Sequence, residues 1–415
     1  MPLTQSERDT LRELAKRYLE VCSRDVNAER RDLWRAHNSL VATRPLIYVR
    51  AFAWDEMPDA RLTVRDPFFR GYENWLRQRL FWASLDDDSV FEPWIGMRAA
   101  IITPAGGVWG VSPTAIDSGV PRGAKKWIPP IATEDDFSKL IPPHHVIDEE
   151  ITAERLARTT EVFGDILPVF ADRAPEYRMW NGDISTQIAY LRGLEQIMVD
   201  MVDRPEWLHR VLTFMRDGIM RTHQQAEEAG DWSLINHQNQ AMPYANELPD
   251  PAPSTTTPSG EPVTRRHLWY YCASQETTGV GPRMFDEFML QYQLPIMEPF
   301  GLVAYGCCED LTHKIDAIRT IPNLRRIAVA PSANVAASAE RIGTDYVISY
   351  RPNPAMIATG FDAEYIRDGL RGDLVACRGL HVDITLKDVE TVQGDPNRVR
   401  DWVKITREVI DEVWR

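Results

Sequence analysis

The residues best suited to chemistry stand together late in the chain. Cys307, Cys308 and Glu309 follow the apolar run Gly301-Leu-Val-Ala-Tyr305, one glycine further on. Two thiols beside a carboxylate form a donor set that Zn²⁺ accepts, and a catalytic zinc keeps one position open for substrate. Adjacent residues inside a strand point to opposite faces, so both sulfurs can serve one ion only in a loop past the strand end. A further ligand is then expected from Glu309, Glu276 or His237, each at the end of an expected strand. The same pair equally suits small buried thiols packed where a strand meets its neighbours. Arg50 closes the run Pro45-Leu-Ile-Tyr-Val49. Its guanidinium suits a bidentate grip on a carboxylate, or a structural pair with the run Asp86-Asp87-Asp88. Tyr190 suits a hydrogen bond or proton to substrate, and equally a buried ring with its hydroxyl satisfied. Asp388 next to Lys387 suits acid–base work or the surroundings of a metal, and equally a solvated loop pair. His237, in Asn236-His-Gln-Asn239, is a candidate substrate contact.

These residues need elements to position them. Strands are expected at 45–50, within 90–102, and at 165–170, 233–237, 267–272, 301–305, 324–329, 345–349 and 381–386. Helices are expected at 5–36, 73–84, 151–163, 205–228, 282–300, 311–320, 335–342 and 396–414. This alternation predicts βαβ units and a parallel sheet. Reactive groups in such sheets sit past the carboxyl ends of the strands, where Arg50, Cys307, Cys308 and Asn353 fall. The expected architecture is α/β: a TIM (β/α)8 barrel over 44–415, a helical extension over 1–43, an insertion near 103–146, and a long lid loop near 241–264.

Composition narrows the function. The 415 residues carry a formal charge of -14, which argues against nucleic acid or an anionic membrane surface as partner. No run approaches the length of a membrane span. Five cysteines, odd in number, read as reduced thiols, and a polar N-terminus reads as no signal peptide; both fit a cytoplasmic protein. The 44% apolar content is enough for a sizeable core, and several of the 13 tryptophans flank loops where they suit a pocket for a flat ligand.

Four segments resemble the uroporphyrinogen decarboxylase-like superfamily: Arg44 to Arg50, Thr186-Gln-Ile-Ala-Tyr190-Leu, Arg351-Pro-Asn353-Pro354 and Asp395-Pro396. The resemblance covers most of the chain from about Arg44. It implies a carboxylate-binding role for Arg50, an active-site role for Tyr190, and a place for Asn353 in a turn shared across the superfamily. The continuation Arg50-Ala-Phe-Ala-Trp54 departs from the decarboxylase pattern, and Asp388 stands where the decarboxylase has a histidine, so uroporphyrinogen is not the implied substrate. The zinc-dependent methyltransferase branch carries His-x-Cys where this chain has Tyr305-Gly-Cys307. Cys307 matches, Tyr305 takes the histidine's place near the substrate, and a late cysteine has no clean counterpart. The corrinoid-binding pattern Asp-x-His-x-x-Gly is absent, which implies a corrinoid held by a separate partner protein. The resemblance thus implies a zinc-dependent enzyme moving a methyl group between a small methylated compound and a corrinoid protein or thiol. Its alternative is a metal-free decarboxylase of a small carboxylated substrate, aromatic acids included. Homodimers are common in the superfamily.

Overall fold

The computed structural model describes residues 3–50, 52–120 and 123–414. Its strands in chain order are β1 (Leu46–Val49), β2 (Ile95–Arg98), β3 (Thr114–Asp117), β4 (Lys125–Ile128), β5 (Val169–Asp172), β6 (Trp269–Cys272), β7 (Leu302–Tyr305), β8 (Leu324–Val329), β9 (Val347–Tyr350) and β10 (His381–Leu386). Six form one sheet in the order β1-β10-β9-β8-β7-β6, every neighbouring pair parallel. β2 pairs with β5, also parallel, in a sheet of its own. The fold is thus a mixed α/β one with a mostly parallel sheet, and its eight parallel strands are divided between two hydrogen-bonded sheets.

The division has a local cause. The exposed edge of β1 is not met by β2. The backbone N–H groups of Ile47 and Val49 instead donate to the carboxylates of Asp88 (2.7 Å) and Asp87 (2.9 Å). In the run Asp86-Asp87-Asp88 the last two acids are therefore buried, each 1% exposed, while Asp86 stays exposed. Arg44 and Arg407 neutralise Asp88. Ser233–His237, expected as a strand, is a short 3-10 turn at Leu234–Asn236.

Helices pack on one face of the large sheet. Period-two alternation sends Ile47, Val49, Ile384, Leu386, Ile348, Tyr350, Ile327, Val329, Val303 and Tyr305 into the main apolar core. The opposite face is polar over β1, β10 and β9 and at Arg326 of β8, and apolar over β6 and β7. Tyr48 and Arg50 share it with Asp383, Thr385 and Lys387, with Ser349 and Arg351, and with Arg326, as the register Tyr48↔Thr385 and Asp383↔Ser349 requires. Near its base Arg326 donates to Asp383 (2.7 Å), which also receives Ser349 Oγ (3.0 Å) and faces His37 Nε2 at 3.3 Å.

The helices follow their local signals. Pro205 opens the Pro205–Glu228 helix at its first turn, and the Asn334 side chain caps Val335–Ile342. The 5–36 region is two helices, Gln5–Cys22 and Val26–Asn38. The expected 311–320 helix shrinks to Ile315–Ile318. Within 103–146 an antiparallel hairpin, β3–β4, projects with all its strand residues exposed. The 241–264 segment is packed down. Asn38 donates to Met242 O and Tyr244 O, Trp269 Nε1 donates to Pro243 O, and Tyr244, Ala245, Leu248 and Val263 are buried.

Candidate active site

Gly306 creates the site. It sits at φ +101°, and an added Cβ would lie 2.6 Å from Leu311 Cδ1 and 3.0 Å from Ala328 Cβ. This left-handed step, open only to glycine here, breaks the alternation of β7. Tyr305 stays on the helix-packed face, while Cys307 turns into the smaller cluster with Trp269, Tyr271 and Ala304.

There the two thiols meet Lys387, which arrives from the end of β10. Its ammonium Nζ lies 3.0 Å from Cys307 Sγ and 3.1 Å from Cys308 Sγ, and the sulfurs are 3.6 Å apart. Asp388, at φ +59°, closes the group: its Oδ2 is 3.5 Å from Cys308 Sγ and 3.1 Å from Lys387 Nζ. Arg351, 2% exposed at the end of β9, donates to the carbonyls of Cys307 and Gly306. Its other donor, with Arg50, converges on one acceptor. Gln240 Oε1 takes Arg50 at 2.6 Å and Arg351 at 3.1 Å.

The electrostatics follow from this geometry. A hydrogen bond from Cys308 lowers the Cys307 pKa, and the charges of Arg351 and Lys387 lower it further against the cost of burial. The same hydrogen bond raises Cys308, which favours a thiolate on Cys307 over one on Cys308. Burial pulls Lys387 down, yet the charge and hydrogen bond of Cys307 leave it raised. Two buried polar atoms of these residues have no partner among the described residues, Arg351 Nε and Gln240 Nε2. Unpaired buried polar atoms are what a small polar ligand would satisfy.

The zinc set is not assembled. Lys387 Nζ stands between the two sulfurs, where a shared cation would have to be. Glu309 is fully buried, and its oxygens take the N–H groups of Ser274 (2.9 Å) and Cys307 (2.7 Å); burial raises its pKa. Glu276 accepts from Ser185 and Thr186 and lines a different cavity. Among the described residues no group of three or more His, Cys, Asp or Glu is placed to hold a metal ion. The donor set does not fit zinc.

The other expected residues scatter. Tyr305 is turned inward by strand parity and spends its hydroxyl on Gln293 (2.7 Å) and Ser274 (2.9 Å), so it is no substrate contact. Asn353 turns its Oδ1 to the Ala355 N–H, a turn role at an exposed position. His237 accepts the Trp269 N–H at Nδ1. Tyr190 packs edge-on to Trp127 in the Glu276 cavity, whereas Asp388 lines another, of about 450 Å³, with Phe52, Trp54 and Gln78. Arg50, Cys307, Cys308 and Asp388 are brought to one place. Lys387, Arg351 and Gln240 join them unforeseen, although polar residues two apart in otherwise buried strands, such as Asp383-Thr385-Lys387 and Ser349-Arg351, signal a second, polar face.

No family model matches the sequence. No curated protein matches it either. Among solved structures, the chain is similar to a methyltransferase from Methanosarcina mazei at 11% identity, over 92% of this chain and 97% of that one, with a TM-score of 0.47. A likeness this distant does not transfer an activity.

Proposed function

We propose that the chain is a small-molecule group-transfer enzyme of the methyltransferase type, working through the Cys307 thiolate without a metal. The observation that carries this reading is the contact of Cys307 Sγ with Lys387 Nζ at 3.0 Å, at the strand ends and beside Arg351. Lys387 at the sulfur and the nearby Arg351 charge favour the thiolate, and a thiolate is a strong nucleophile. It attacks the methyl carbon of a small methylated compound; the S–C bond forms as the bond to the leaving group breaks, and the electron pair departs with that group. Lys387, 3.0 Å from the attacking sulfur, favours its thiolate form before attack. Arg50 and Arg351 orient an acidic end of the substrate, which takes the place of the Gln240 oxygen as their acceptor. The onward acceptor is a thiol or a corrinoid held by a separate protein, which this chain's own residues do not supply.

The test is to incubate the protein with isotopically methyl-labelled donors, among them methylcobalamin and a methylated amine, and to map the label by peptide mass spectrometry. Label on the Cys307 peptide that is absent in Cys307→Ser supports the reading. Label unaffected by Cys307→Ser, or none from any donor although iodoacetamide modifies Cys307, sinks it.

One observation favours a second reading, a metal-free decarboxylase. Two guanidiniums on one neutral oxygen leave charge that a substrate carboxylate would balance better. On that reading Arg50 and Arg351 grip a substrate acid and Asp388 supplies the proton that replaces the carboxyl group. Release of labelled CO₂ from carboxylated aromatics, lost in Arg50→Met, is its measurement.

A further inference from the structure

A second cavity, of about 320 Å³, lies apart from the thiols. Its walls are Trp127 from the exposed hairpin and Tyr190 from the Ser185–Arg192 helix, with ring centroids 5.4 Å apart and planes at 76°. Pro129, Ala189 and Leu194 add apolar surface, and no Lys, Arg or His lines it. Its remaining polar groups are Thr186 and Glu276. The Glu276 carboxylate is held by neutral donors only: Ser185 Oγ at 2.6 Å, Thr186 Oγ1 at 3.1 Å and Gln275 Nε2 at 3.3 Å. Behind it, Thr186 Oγ1 also lies 2.8 Å from Asp183 Oδ2, and Asp183 is fully buried, with a pKa that burial and the Glu276 charge raise together. The Glu276 carboxylate therefore stands at one end of the cavity, with the Asp183 carboxyl behind it and no cation among the described lining residues to balance it.

Aromatic faces attract cations through their quadrupole, and a half-buried carboxylate without a countercharge does the same. We propose that this cavity binds a small organic cation, an alkylated ammonium, seated in the corner that Trp127 and Tyr190 make, with its charge toward Glu276. The two rings touch edge to face, so the cation lies beside the pair, against aromatic surface the contact leaves open. Apolar neighbours suit its methyl or methylene groups. An anion would meet the Glu276 carboxylate and no base among the lining residues. A neutral molecule would leave Glu276 as it is.

Calorimetric titration of the full chain with tetramethylammonium chloride tests this, with sodium chloride as the salt control and tert-butanol as the uncharged counterpart. The expected result is saturable binding of the cation, with tert-butanol about tenfold weaker or worse. Glu276→Gln and Tyr190→Leu each weaken the cation by about tenfold, and Trp127→Phe, which keeps a ring face, retains most of the affinity. Tyr190 is exposed, so its variant is expected to fold, and a melting curve checks this. No heat beyond the salt control, equal affinity for tert-butanol, or an affinity unchanged in folded Tyr190→Leu overturns the proposal. Binding is read without turnover, so the outcome does not depend on the role of Cys307.

Discussion

Lys387 is the residue on which the chemistry turns. It contacts both sulfurs, and with Arg351 it favours the thiolate of Cys307. Replacing it with Met leaves the thiol with Arg351 and the Cys308 hydrogen bond alone. Alkylation of Cys307 by iodoacetamide at neutral pH is expected to slow by about tenfold or more, and the midpoint of its rate–pH profile to move up. Lys387→Arg keeps the charge and should fall in between. Because the ammonium stands where a shared ion would sit, dialysis against a chelator is expected to change neither the melting temperature nor the Cys307 alkylation rate. Elemental analysis before and after dialysis checks that comparison.

At the scale of elements, the site depends on one turn and one strand edge. Gly306→Ala places a Cβ against Leu311 and Ala328 at φ +101°. A cost of about 2–4 kcal/mol in urea unfolding is expected, together with lost Cys307 reactivity, because the turn aims that thiol. The β1 edge carries a pH signature. Burial pushes Asp87 up to about 6 from an ordinary 3.8, against the hydrogen bonds from Val49 and Ser89. The folded chain therefore holds this proton at a pH where the unfolded chain has released it. Its contribution to stability is fully present below about pH 4 and is lost as pH rises through about 6, by up to about 3 kcal/mol. Unfolding free energies measured from pH 4 to 7 should show that decline in the natural protein and lack it in Asp87→Asn.

For the whole molecule, the Arg326–Asp383–His37 group ties three distant parts of the chain together beneath the site, all three residues buried. Asp383→Ala leaves a guanidinium buried without its partner, at an expected cost of about 3–5 kcal/mol in denaturant unfolding, whereas Asp383→Leu with Arg326→Met should recover much of it. What the sequence determined by itself is local. The alternation and order of strands and helices, the helix that starts at Pro205, the thiols just past a strand end and Arg50 closing the first strand all follow from short-range periodicity and punctuation. What only the tertiary structure decided is long-range. Lys387 reaches Cys307 across a sequence separation of 80, and two arginines converge on Gln240. Strand parity, reset at Gly306, turns Tyr305 away while turning Cys307 in. Buried carboxylates complete the edge of β1 where a neighbouring strand was expected. Which face a strand offers, and what meets it there, depends on register between segments far apart in the chain, and no local pattern encodes that register.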